Sequence, residues 1–380
     1  MTTPTHALSH APDGLEGVVV ATTGIGDVRG EEGFFHYRGY PAPDLAMSRS
    51  FEAVWHLLHR GHLPDSAELS AFADHTGALR TLAPEVLEAL PHVVAAGSMM
   101  SALRTLVSLA GQDAGSWLDL PAGRREQDAL GLVARVPALV AAAWRIRQRL
   151  SPIAPDRSRG LADDYLRMLT GRPADARAVR ALERYLLLTI DHGFNASTFA
   201  ARVVASTGAD LTAAAVAGIG ALAGPLHGGA PSRVIDMLQE IGSPERAPSW
   251  VEASLASGRR IMGFGHRVYR TEDPRSAVLK RTALELGGPM VSLAVDVERL
   301  VLEILDRRYP ERRLRTNVEY YAGVVLHEIG MPPELYPPTF AVSRMAGWMA
   351  HVLEQIERNR IIRPASVYAG PLHRTAGACC

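Results

Sequence analysis

"LGLVARVPALVAAAWRIRQRL", residues 130–150, repeats apolar side chains at i, i+3, i+4 and i+7. That period belongs to a helix with a buried face. Four more stretches carry the same pattern: "SFEAVWHLLHRG" (50–61), "ARAVRALERYLLLTI" (176–190), "VERLVLEILDRRY" (297–309) and "PTFAVSRMAGWMAHVLEQIERNR" (338–360). Strand-like alternation is confined to "GVVVATTGIGDVRGEEGFFHYRG" (17–39), which reads as a short hairpin around Gly30. The expected fold class is therefore mainly α. Turn-rich breaks fall at 151–160, 241–249 and 331–338. The Ala- and Gly-rich "DLTAAAVAGIGALAG" (210–224) suits a tight helix–helix seam and a possible subunit interface, because small residues let a partner approach the backbone.

Composition narrows the functional classes. A chain of 380 residues can hold two domains and a large core. Forty basic residues balance forty acidic ones, so no global field recruits nucleic acid or an anionic membrane. Lys280 is the only lysine, and the arginines that replace the rest are rigid forks suited to carboxylates and phosphates. The two cysteines, Cys379 and Cys380, are adjacent and cannot staple a fold. A reducing compartment fits. The first residues lack an apolar targeting core, and no unbroken apolar run reaches the ~18 residues of a membrane span. The expectation is a soluble, cytoplasmic protein.

Chemistry concentrates in glycine-rich or helix-end contexts. His227 sits in "GPLHGGA", His266 in "GFGHRVYRTEDPR", Glu319 in "TNVEYYAG" and His192 in "DHGFNAST", where Asn195 or Ser197 caps a helix. Glycines let a ligand approach the backbone beside a rigidly held imidazole; a buried turn histidine would have the same neighbours. His266 with Arg270 and Arg275 beside a glycine turn suits an anion, since guanidinium matches carboxylate bidentately. No HExxH or Cys-pair spacing supports a metal, and no GxSxG, Walker A or strand-borne GxGxxG occurs. His56, His59 and His62 in "HLLHRGH" read as a solvated or half-buried helical face rather than a metal site.

"DHGFNASTFAAR", "GPLHGGAPSRV", "GFGHRVYRTEDPR", "NVEYYAGVVLHEIGMPPELYPPTFAVSRMAGW" and "NRIIRPASVYAGP" occur in the order found in the citrate synthase family, and residues 14–40 resemble its N-terminal hairpin. The resemblance implies a homodimer of two-domain, mainly α subunits. Residues 1–228 and 331–380 would form the large domain and 229–330 the small one. It also implies condensation of an acyl-CoA with oxaloacetate and hydrolysis of the thioester, with no metal or redox cofactor. By residue-wise resemblance His227 donates to the thioester oxygen, Glu319 is the base, and His266 polarises the ketone. His192, Asn195, Arg275, Arg344 and Arg363 hold the oxo acid, Arg363 reaching over from the second subunit. Ile261, Met262, Gly263, Phe264 and Gly265 resemble the adenine loop, and Arg270 a phosphate contact.

Two departures stand out. The commoner family residue at Glu319 is aspartate, and Gly97–Ser98 replaces a His-Pro that often precedes the following helix. The leading expectation is a citrate synthase using acetyl-CoA. The alternatives are 2-methylcitrate synthase chemistry with propionyl-CoA and a non-catalytic relative that binds CoA esters.

Overall fold

Sixteen α-helices and one small antiparallel sheet make up the described part of this computed structural model, residues 12–112, 114–228, 230–266, 269, 271–368 and 370. The mainly α expectation holds. The hairpin forms where Gly30 placed it, between strands Gly26–Arg29 and Phe34–Tyr37, with Gly26 opposite Tyr37 and Arg29 opposite Phe34. A third strand, Tyr40–Pro41, was not foreseen. The valine run before the hairpin stays outside it, and Val19 is 89% exposed. Along the second strand Phe35 and Tyr37 face inward, and the Tyr37 hydroxyl donates to the carbonyls of Leu187 and Asp191 at 2.9 and 3.2 Å. The sheet is thereby fixed to the end of helix Ala176–Thr189, next to His192.

Helix Ala122–Arg147 departs from its expected one-sided pattern. From Ala129 to Ala143 every residue except Arg135 is buried, so it serves as an axis of the core rather than an amphipathic flank. It is long and apolar enough, by length and composition, to cross a membrane, yet 78% of its most apolar window is buried inside the protein. Counting only unbroken apolar runs missed it. Helix Tyr336–Glu357 packs on this axis and on helices Ala176–Thr189, Ala196–Ser206 and Leu211–Leu222. It starts two residues earlier than its pattern suggested, because Pro337 and Pro338 occupy a first turn whose N–H groups need no helical partner. The break at 241–249 is likewise shorter than expected, with helix Ala247–Ala256 already begun.

The tight seam predicted at 210–224 is present. A Cβ on Gly218 would lie 2.9 Å from the Trp348 indole, which is fully buried and cannot give way cheaply. Gly218→Val is expected to destabilise the fold by about 1–3 kcal/mol through overpacking. Thermal unfolding would show this as a lowered midpoint.

The histidine face at the end of helix Phe51–Arg60 is graded as the half-buried expectation allowed: His56 is 5% exposed, His59 is half-buried with both ring nitrogens lacking a hydrogen-bond partner among the described residues, and His62 is exposed. Burial pushes the His59 pKa down to about 3, so it stays neutral against Trp55.

Candidate active site

Gly263 and Gly265 both adopt left-handed φ, near 82° and 81°, and a Cβ on Gly263 would strike Tyr320 at 2.7 Å. This double turn is laced antiparallel to residues 315–317. Gly265 N–H donates to the Arg315 carbonyl (2.8 Å), Asn317 N–H to Gly263 (2.9 Å), and Asn317 Nδ2 to the Gly265 carbonyl (2.8 Å). Asn317 also caps helix Val318–Glu328 by accepting from Glu319 N–H at 3.0 Å. One short ladder thus fixes both the His266 turn and the first turn carrying Glu319.

Asp273 ties these groups together. Its carboxylate accepts from Arg275 Nε and Nη2 (2.9 and 2.8 Å), from Arg275 N–H (3.0 Å) and from Val318 N–H (2.9 Å). Arg275 is 4% exposed, lies over the Phe35 ring of the hairpin, and reaches His266 Nε2 at 3.1 Å. Tyr269 bridges the two other histidine positions: its N–H donates to His266 Nδ1 (3.0 Å) and its hydroxyl meets His192 Nε2 (3.0 Å). Burial, then the Arg275 charge, lowers His266 to about 4. His192 is driven well below its ordinary value by burial and then by Arg275 and Arg344. Both rings are neutral at physiological pH. Glu319 moves the other way, up to about 7, because burial and nearby Asp273 outweigh the opposing charges of Arg275 and Arg233.

Arg344 is 2% exposed; its Nε donates to the Thr189 carbonyl at 2.8 Å, while buried Nη1 has no hydrogen-bond partner among the described residues. Burial lowers its pKa to about 10, which leaves it charged. A buried guanidinium nitrogen without an acceptor costs free energy until an anion supplies one. Its field also reaches His227, whose pKa burial first and Arg344 second bring to about 4.

His227 Nε2 lies 2.8 Å from Ser197 Oγ, which donates to Asn195 Oδ1 (2.7 Å) and accepts from Trp348 Nε1 (3.1 Å). The open choice of cap resolves to Asn195, which accepts from the N–H groups of Ser197 and Thr198. Asn195 Nδ2 is committed to the Gly193 carbonyl and Thr198 Oγ1, so its amide holds the His192 loop together. Gly97 and Ser98 prove to be a helix start, with Ser98 capping Met99–Leu109.

Among the residues expected to form an adenine loop, Ile261 is buried and the Phe264 ring packs on Tyr320 at 5.1 Å. Arg270 lies outside the described residues, as do Gly229, where the small domain was expected to begin, and both cysteines. Arg363 sits exposed on the extended stretch after the last helix. A cavity of about 520 Å³ opens beside His266, Tyr269 and Asp273, rimmed by Arg312, Arg313 and Arg315. Sequence reading missed Asp273, Asn317, Tyr269 and the arginine rim. The first two carried a signal, since Asp before Pro and Asn before a helical run are both caps.

Residues 14–365 match the family described as "Citrate synthase, C-terminal domain". The chain is 39% identical to "Citrate synthase 2" of Bacillus subtilis (95% of this chain, 96% of that one) and 40% identical to "2-methylcitrate synthase" of Mycobacterium tuberculosis (97% and 93%). Among solved structures it superposes with TM-score 0.89 on the Thermoplasma acidophilum citrate synthase ternary complex with carboxymethyl coenzyme A and oxaloacetate, at 29% identity over 96% and 97% of the chains. The Pyrobaculum aerophilum citrate synthase matches with TM-score 0.87, at 36% identity over 96% and 93%. The chain belongs to the citrate synthase family, enzymes that condense an acyl-CoA with oxaloacetate.

Proposed function

We propose that this protein is a citrate synthase whose site uses His227, His266 and Glu319 on a substrate pair held by Arg275, Arg344 and His192. The observation that carries the oxo-acid half is electrostatic. Two buried guanidinium groups share the site, one with a nitrogen that has no partner among the described residues. Because Tyr269 N–H donates to His266 Nδ1, the neutral ring carries its proton on Nε2. That N–H faces Arg275 Nη2 at 3.1 Å, donor against donor. An oxo-acid oxygen placed between them accepts from both. His266 then polarises the ketone.

On the thioester side, Glu319 removes an α-proton and His227 donates to the developing enolate oxygen, as oxyanion donors do. Placing the ring proton of neutral His227 on Nδ1 for the thioester requires the Ser197 hydroxyl to turn its proton from Asn195 Oδ1, its acceptor in this structure, to His227 Nε2. The enolate carbon bonds to the ketone carbon, and the ketone oxygen gains a proton from the His266 side. Water then attacks the thioester carbonyl and the CoA thiol departs. The arginine rim and Arg270 suit CoA phosphates. The same reading takes CoA thioester as substrate with no further cofactor, a small domain over 229–330 that closes on the large one, and a soluble, cytoplasmic homodimer.

A thiol-release assay tests the function. CoA release should require both oxaloacetate and an acyl-CoA, with acetyl-CoA preferred. A preference for propionyl-CoA would select the 2-methylcitrate reading, which a relative of that name at 40% identity keeps open. One methylene is worth only about 1–3 kcal/mol in a pocket. Arg363 is proposed to act across the dimer. Mixing Arg363→Ala with His266→Ala subunits should restore activity, because hybrid dimers contain one site free of both lesions. Demonstrated subunit exchange without recovery would remove the shared site.

A further inference from the structure

Away from the catalytic groups, the turn between helix Phe51–Arg60 and helix Ser66–Ala78 brings His56, His62 and Glu68 together, one ligand atom from each lying within 4.8 Å of the others. Each side chain is oriented by a backbone group. His56 Nδ1 lies 3.1 Å from the His62 carbonyl and His62 Nδ1 lies 3.4 Å from the Arg60 carbonyl. A carbonyl oxygen only accepts, so each Nδ1 carries a proton, and in the neutral ring Nε2 is then left with a lone pair. Glu68 Oε2 accepts from Asp65 N–H (2.9 Å) in a capping box, which leaves Oε1 facing His62 Nε2 at 3.1 Å. At that distance the two atoms are held together either by a proton on His62 Nε2 or by a cation that both coordinate. The rings of His56 and His62 stand nearly perpendicular, centroids 5.1 Å apart, so both can approach one point.

We propose that His56, His62 and Glu68 form a site for a borderline divalent transition cation such as Zn2+ or Ni2+, which staples the two helices. Imidazole donors fixed by Nδ1–H to carbonyl contacts are the outer-shell pattern of bound metals, and two nitrogens with one carboxylate exclude the oxygen-preferring Ca2+ and Mg2+. Tetrahedral Zn2+ at about 2.0–2.1 Å wants donors roughly 3.3 Å apart, a spacing that the His62–Glu68 pair already approaches. The competing arrangement is a protonated His62 ion-paired with Glu68.

Chelator-stripped full-length protein titrated with Zn2+ by calorimetry separates the two. Wild type should bind one equivalent more than His62→Ala, Glu68→Gln should weaken that equivalent at least tenfold, and Zn2+ should raise the unfolding midpoint of wild type but not of His62→Ala. The terminal cysteines are present in all three proteins and contribute equally. Thiol-release rates should be the same in wild type and His62→Ala. Equal stoichiometry and affinity in wild type and His62→Ala would overturn the site in favour of the ion pair.

Discussion

Glu319→Gln is expected to lower kcat by about 10²–10⁴-fold, the usual contribution of a positioned general base, while oxo-acid affinity is retained. Glutamine keeps the size of the side chain and removes the basic oxygen. In wild type the base is active only when ionised, and its pKa is raised to about 7. Activity should therefore fall as pH drops through about 7, approaching tenfold per unit below it. His227 and His266, each brought to about 4, add no inflection in that range. A pH profile of kcat/KM checks the sign. Glu319→Asp is the geometric probe. The backbone N–H groups of Glu319 and of Val318 just before it donate to the Asn317 and Asp273 side chains, which restrains the main chain from following a shorter side chain. The carboxyl should retract by about 1 Å, and the rate should fall on the order of a hundredfold despite aspartate being the commoner family residue.

His227→Ala should cost about 10²–10³ in kcat by removing one donor to the enolate oxygen. The protein should stay folded, because His227 is only partly buried in a turn and its side chain reaches the Ser197 hydroxyl rather than the packed core. Near wild-type turnover in a purified, folded His227→Ala protein would remove it from the mechanism.

Much of this was legible because helical period and capping are local properties. The five apolar repeats mark helices, and glycine flanks around His227 and His266 mark close approach. Gly263 shows why the second signal works: its left-handed φ and its contact with Tyr320 tolerate no side chain. What was not legible depends on long-range contacts. Nothing local says that Phe35 of the hairpin lies beneath Arg275, or that Tyr269 links two histidines far apart in sequence. Asn195 carried a polar side chain at a plausible position, yet local hydrogen bonds use its amide. How deeply His56 is buried was not legible for the same reason, since its ring packs on Phe72, which comes later in the chain.

Proton abstraction is the central chemical step and can be isolated from condensation. Acetyl-CoA in D2O with a carboxylate analogue of oxaloacetate that lacks a reactive ketone should exchange its methyl protons on the wild-type enzyme, followed by NMR, and should not exchange on Glu319→Gln. Exchange that persists at the wild-type rate in Glu319→Gln would contradict Glu319 as the base.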